Sequence, residues 1–291
     1  METTTAERSP SHRLPFDVAG GSVRGHDHNR SGRNNQDAFA WEHTETAITA
    51  VVCDGCGSSE YSEVGAHIGA RLVLAALRPY LSFLQHRDCA PMILERVRQR
   101  VLLQMGQLVR SMGGDRPRLI QDYLLFTVVG TVITPQHTVV FTLGDGLVAI
   151  NGTVTQWQYD HNAPPYLAYG LLSESQDVTL REQLTFQLRW SGSTADVRTI
   201  MLATDGAEAL HQPPDRCLPG QDEPVGPLSQ FWDDPRYVVH PHGITRRLRR
   251  LNREVVRPAW EQQYLQRSSG LLADDTTLIV IRRQPDVSEQ G

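Results

Sequence analysis

Five acidic positions in the chain adjoin short apolar runs rich in β-branched residues. Asp54-Gly55 lies in VVCDGCG, Asp145-Gly146 in FTLGDG and Asp205-Gly206 in IMLATDG. The pair Asp274-Asp275 stands directly before the apolar run Leu278–Ile281, and Asp37 lies in GRNNQDAFA. One Asp-Gly step alone is usually a turn; the repetition of the same device after strand-like runs is what carries information. Strand ends are rigid places from which to aim a carboxylate, and glycine lets the backbone approach a ligand closely. Carboxylates converging on one edge would repel each other and resist burial. A divalent cation removes that repulsion. An oxygen-only donor set selects hard cations, magnesium or manganese, because no histidine or cysteine stands at zinc spacing.

The elements that must position these residues can be read from periodicity. AITAVVC (Ala47 to Cys53) reads as a buried strand. Ser62 to Leu84 has helical spacing with a break at Pro79, and Ala90 to Met112 is a second helix stopped by Gly113-Gly114. Leu124 to Ile133 and Thr138 to Leu143 read as paired strands. Leu147 to Ile150 and Val154 to Tyr159 form a hairpin turned at Asn151-Gly152. Further strands are expected at Val178 to Leu180, Thr185 to Trp190, Thr199 to Ala203 and Leu278 to Ile281, with a helix opening at Ala207 to Leu210. His211 to Gly226 reads as a surface loop, and Ile244 to Gln266 as a strongly basic helix. Hairpins in series with flanking helices predict an α+β fold of antiparallel sheets covered by helices. The expected organisation is a disordered segment 1–15, a single domain over 16–283 and a disordered tail 284–291.

Composition bounds the function. The chain has 291 residues, 40% of them hydrophobic, and a net charge of −5. The charge disfavours a dedicated nucleic-acid binder. No run approaches the roughly 20 apolar residues of a membrane span, and a soluble, cytoplasmic, monomeric protein is expected. All 28 Lys-or-Arg residues are arginine, so no lysine serves as nucleophile or phosphate anchor. The four cysteines are too few for a disulfide scaffold. Cys53 and Cys56 form a lone C-x-x-C, with no second pair to complete a zinc site, and neither begins the Cys-x5-Arg loop of a cysteine phosphatase.

In order along the chain, Asn34-Asn35-Gln36-Asp37, VVCDGCGS, LGDG, LATDG and ADDTTLIV resemble the blocks of the type-2C metal-dependent protein phosphatase (PPM) family. The resemblance spans roughly residues 20–283. The shape Gly25…His28…Gly32…Gln36-Asp37 followed by DGCGSS looks most like a bacterial branch. It implies a four-layer α/β/β/α sandwich and hydrolysis of phosphoserine and phosphothreonine by a metal-bridged hydroxide. Two magnesium or manganese ions are implied, with a third at Asp145. Asp54 would bridge two ions, the Gly55 carbonyl would bind one, Asp205 and Asp274 would bind directly, and Asp37 would act mostly through waters. The partner would be a phosphoprotein made by an opposing Ser/Thr kinase. Residues 211–257 would match the family's variable flap, with Phe231, Trp232, Tyr237 and the arginines facing the phosphoprotein.

Three departures from the family pattern stand out. Gly32 occupies the position of a phosphate-gripping arginine, leaving Arg33 beside it, or Arg30 upstream, for that task. Cys56 replaces a histidine proposed as general acid in some members. Asp275 replaces the usual asparagine. These departures keep a rival reading open, that of a catalytically weak or inactive phosphatase-like domain acting as a phosphoprotein-binding regulator. An aspartate-nucleophile phosphotransferase would want a second aspartate where Cys56 stands, together with a lysine. A calcium-binding loop would want its ligands within one short segment.

Overall fold

A computed structural model describes residues 13–172, 182–211, 216–240 and 242–285. Two five-stranded antiparallel sheets pack face to face. The first has the order β1 (Phe16–Val23), β12 (Thr276–Arg283), β9 (Thr199–Ala203), β6 (Gly146–Ile150) and β7 (Thr153–Trp157). The second has the order β2 (Ala38–His43), β3 (Ile48–Cys53), β4 (Val128–Ile133), β5 (His137–Leu143) and β8 (Gln187–Ser193). With helices outside both sheets, this is the layered α+β sandwich that the order of elements predicts.

The apolar runs are continuous because the central strands are covered on both faces. In β3, Ile48, Ala50 and Val52 point between the sheets while Val51 and Cys53 point to the helices Ser62–Leu77 and Ala90–Met112. In β12, Ile279 and Ile281 fill the sandwich interior while Leu278 and Val280 face the helix Gly243–Leu251 and its neighbours. Burying each such aliphatic side chain contributes about 1.5–3 kcal/mol. This double coverage holds the strand ends, and hence the acidic residues beyond them, in fixed register.

Several boundaries differ from the sequence expectation. The first helix ends at Leu77 and continues past Pro79 as short 3₁₀ turns. Leu124 to Thr127 enter β4 without strand geometry apart from an isolated bridge at Phe126. The basic helix stops at Leu251, and Val255–Ala259 pairs with Tyr264–Ser268 as a separate hairpin, β10–β11. Pro258 cannot occupy a helix interior, and Val255-Val256 favours a strand. Two strands flanking the first acidic block, β1 and β2, were not anticipated. The expected strand at 178–180 lies outside the described residues, as do residues 1–12 and 286–291 of the two terminal segments.

The expectation for Phe231 and Trp232 is corrected. Both are buried against the outer face of the first sheet, 0% and 6% exposed, with Tyr237 packed on Phe231 at 5.1 Å between ring centroids. They cannot form a substrate surface. Arg247 and Arg250 are tied to Glu223, and Arg247 also to Gln230. Among the described residues no helix is long and apolar enough to cross a membrane.

Candidate metal centre

Strand register brings the acidic residues to one end of the sandwich. Asp54 leaves β3 directly after Cys53, which pairs with Ala38, and so Asp37 lies beside it. Leu278 of β12 pairs with Ala203 of β9, which places Asp274 and Asp275 next to Asp205. Ala203 also pairs with Leu147 of β6, two residues beyond Asp145. The approach is close enough to require glycine at 206, where a Cβ atom would lie 2.0 Å from the Asp275 carbonyl oxygen.

Asp54, Gly55, Asp145, Asp205 and Asp274 line one cavity of about 80 Å³. Asp37 lies behind it, 3% exposed, its Oδ2 accepting the Thr204 hydroxyl at 2.8 Å. The Asp37 Oδ1 is buried without a hydrogen-bond partner. An orphaned carboxylate oxygen is costly in a protein interior and is the natural place for a cation or its water.

The electrostatics carry the same message. Burial, followed by the charges of Asp37, Asp205, Asp274 and Asp145, raises the Asp54 carboxyl well above its ordinary range. Burial and Asp275 do the same to Asp37 against the hydrogen bond from Thr204. Asp145 is pushed up to about 7, first by burial and then by Asp205, and Asp274 is raised by burial and Asp205. The chain has assembled carboxylates that disfavour one another's charge, so that oxygen donors dominate the cavity. That set fits small hard cations.

A stability prediction follows from these raised values. A carboxyl whose folded pKa exceeds the unfolded value of about 3.9 contributes stability that is fully present below that value and lost as pH rises through the folded pKa. For Asp145 the loss runs from about 4 upward and is complete once the pH passes about 7. The melting temperature of chelator-treated protein is therefore expected to fall from pH ~5 to pH ~8, and manganese should abolish most of that fall. Equal melting temperatures at both pH values in chelator would contradict the prediction.

Asp275 plays a different part from its neighbour. Its Oδ1 accepts the Gly25 amide at 2.7 Å, and its Oδ2 accepts the Gln36 amide at 2.5 Å and faces His28 Nδ1 at 2.9 Å. Both oxygens are thus taken up by groups of the chain. An asparagine would present an NH₂ group to donors at one of these positions, which explains why aspartate suits this site. Asp275 ties the segment carrying Asp37 to the start of β12.

The arginines separate clearly. Arg33 donates to the Gly57 carbonyl at the cavity rim, and its own carbonyl accepts from Arg24 at 2.9 Å. Arg30 instead donates to Ser269 Oγ at 2.6 Å and lies 4.0 Å from Asp27; neither partner lines the cavity. Cys56 also lines the cavity. Burial opposes ionisation of its thiol, but hydrogen bonds from Ser58, Tyr166 and Ser59 outweigh it and lower the pKa. Sequence reasoning did not anticipate site roles for His28, Gln36, Asn162 and Tyr166, all of which line the cavity. His28 stood within a recognisable glycine spacing; Tyr166 comes from an irregular loop with no motif.

The profile of one protein family, protein phosphatase 2C, matches residues 24–251. No curated protein matches the sequence at a significant level. Among solved structures, a bacterial serine phosphatase is similar at 12% identity, over 93% of this chain and 99% of that one, with a TM-score of 0.51. A Mycobacterium tuberculosis serine/threonine phosphatase is similar at 15% identity, over 94% and 100% of the two chains, with a TM-score of 0.49. A Staphylococcus aureus serine/threonine phosphatase is similar at 13% identity, over 97% and 100%, also with a TM-score of 0.49.

Proposed function

The chain belongs to the protein phosphatase 2C family, and on that premise we propose that it hydrolyses phosphoserine and phosphothreonine in proteins, using magnesium or manganese. The observation that supports this most is the convergence of Asp54, Asp145, Asp205 and Asp274 on one cavity, backed by the orphaned oxygen of Asp37. Asp54, Asp205, Asp274 and the Gly55 carbonyl would hold two ions. Asp37 would support them from behind, and Asp145 offers a position for a third.

Such ions supply Lewis-acid charge to phosphoryl oxygens and lower the pKa of water towards neutrality. The protein's own contributions are distinct. The sheet ends fix the carboxylates before substrate arrives, so little reorganisation is needed during reaction. Arg33, which donates to the Gly57 carbonyl at the rim, would grip phosphoryl oxygens, since its fork matches their geometry. Cys56, with its thiol pKa lowered, and Tyr166 line the cavity beside the acidic group. The substrate would be a phosphoprotein made by a Ser/Thr kinase.

The test is hydrolysis of p-nitrophenyl phosphate and of a phosphothreonine peptide by the purified chain. Turnover is expected with manganese, loss on chelation and recovery when manganese is returned in excess. A chain that binds the phosphopeptide but turns over neither substrate at any manganese concentration would instead be the phosphoprotein-binding regulator.

A further inference from the structure

A larger cleft lies at the opposite end of the first sheet from the acidic cavity. It has a volume of about 750 Å³, and its lining includes Asn151, Arg198, Trp232, Asp233, Arg282 and Arg283. Asp145 precedes β6 while Asn151 follows it; Asp205 follows β9 while Arg198 precedes it; Asp274 precedes β12 while Arg282 and Arg283 end it. The eight residues of β12 span about 25 Å at roughly 3.3 Å per residue. A ligand in the cleft therefore cannot touch the acidic cavity.

Three arginines, Arg198, Arg282 and Arg283, line the cleft in a chain of net charge −5, with Arg282 and Arg283 alternating to opposite faces of β12. The Arg282 Nη1 is buried and has no hydrogen-bond partner. Arg282 sits opposite Asp17 across the β1–β12 ladder, but an Asp17 carboxylate oxygen is occupied by Gln284 Nε2 at 2.7 Å. Asp234, whose carboxyl feels the Arg282 charge, is paired with Arg236 at 2.6 Å. The exposed guanidinium of Arg198 makes no hydrogen bond or ion pair among the described residues, although its backbone amide is held by Asn151 Oδ1 at 2.7 Å.

Arg283 is fixed in place. It donates to the carbonyls of Val197 and Thr194 and lies over the Phe16 ring at 4.4 Å. The opposing charge in the lining is Asp233, which forms no ion pair among the described residues. A buried guanidinium N–H left unpaired is costly, and an anion that accepts from it offsets that cost. A guanidinium fork matches phosphoryl oxygens in geometry and charge. The volume is far larger than a lone ion needs and falls in the range of small-molecule sites. The anion would therefore be one end of a larger ligand.

We propose that this cleft is a second, non-catalytic site that binds a phosphate monoester or a diphosphate, with Arg198 and Arg282 as its principal donors. The group is carried either by a small phosphorylated molecule or by a phosphorylated side chain of a protein.

The experiment is calorimetric titration of the full-length chain in chelator, where the acidic cavity has no cations with which to hold phosphate. Inorganic pyrophosphate and a phosphoserine pentapeptide serve as probes. Saturable binding of one equivalent is expected. Arg198→Glu and Arg282→Gln should each weaken it about tenfold or more, while Asp54→Asn should leave it unchanged. Tighter binding of pyrophosphate assigns the site to a small molecule, and tighter binding of the peptide assigns it to a protein. Absence of saturable binding, or equal affinity in the wild type and in Arg198→Glu, overturns the proposal. Arg198 is on the surface, so its replacement keeps the test valid even if Arg282→Gln fails to fold. None of these outcomes depends on whether the acidic cavity hydrolyses phosphate.

Discussion

Replacing Asp54 with asparagine is expected to reduce manganese-dependent hydrolysis of p-nitrophenyl phosphate by about a thousandfold, since losing some 4 kcal/mol of transition-state charge stabilisation corresponds to that factor. The side chain has nearly the same shape, so the effect would come from the charge and the lost oxygen donor. Asp54 is where the repulsions meet, because its carboxyl feels Asp37, Asp205, Asp274 and Asp145 together. The same substitution should therefore leave the melting temperature of the chelator-treated protein unchanged or higher, because it removes one charge from a repulsive cluster. Inactivity with retained stability separates a ligand role from a structural one. Full activity in Asp54→Asn, measured as kcat at saturating manganese, would remove the basis for assigning it to the metal centre.

The second large effect is expected at Asp275, where Asp275→Leu should cost stability and activity together. It leaves the amides of Gly25 and Gln36 without their acceptor and His28 without its partner. Each unsatisfied buried donor costs about 1–3 kcal/mol, and the pair of amides alone costs a substantial share of a typical stability of about 5–15 kcal/mol. The melting temperature should fall by roughly 10 °C at the usual 2–4 °C per kcal/mol for a protein of this size. Activity should fall as well, because the loop carrying Asp37 is no longer tied to β12. Asp275→Asn should lie between the wild type and Asp275→Leu on both measures. A wild-type melting temperature for Asp275→Leu would show that the three contacts contribute nothing net.

The contrast between Asp54 and Asp275 shows what the sequence could and could not convey. The acidic residues were legible because each follows or precedes a run whose period and β-branching mark a strand, and strand ends are where an α+β sandwich aims its side chains. The inward and outward faces of β3 and β12 follow from simple alternation. The role of Asp275 was not legible. It depends on amides 239 and 250 positions away, and a pair of adjacent aspartates does not say which faces a cation and which faces the backbone. β1 and β2 were missed because GGS within FDVAGGSV and the mixed run AFAWEH dilute the apolar pattern; only pairing with β12 and β3 stabilises them.

The helix expected at Ile244 to Gln266 failed through Pro258 and Val255-Val256, local signals outweighed by an apparent period in the arginines. Phe231 and Trp232 are expected to face the phosphoprotein only through the match of their segment to the family's variable flap, yet they supply the apolar cover that the outer face of β9 and β12 needs. Tyr166 and Asn162 reach the cavity from a loop, where side-chain direction is set by tertiary packing alone.

The measurement that bears most directly on the central claim is anomalous diffraction from crystals grown with manganese. Two strong manganese peaks are expected within coordination distance of Asp54, about 2–2.5 Å, and about 3.5–4 Å apart, with Asp205 and Asp274 completing their protein ligands. Crystals diffracting well in excess manganese with no anomalous peak near Asp54, or with peaks only at the protein surface, would contradict the account.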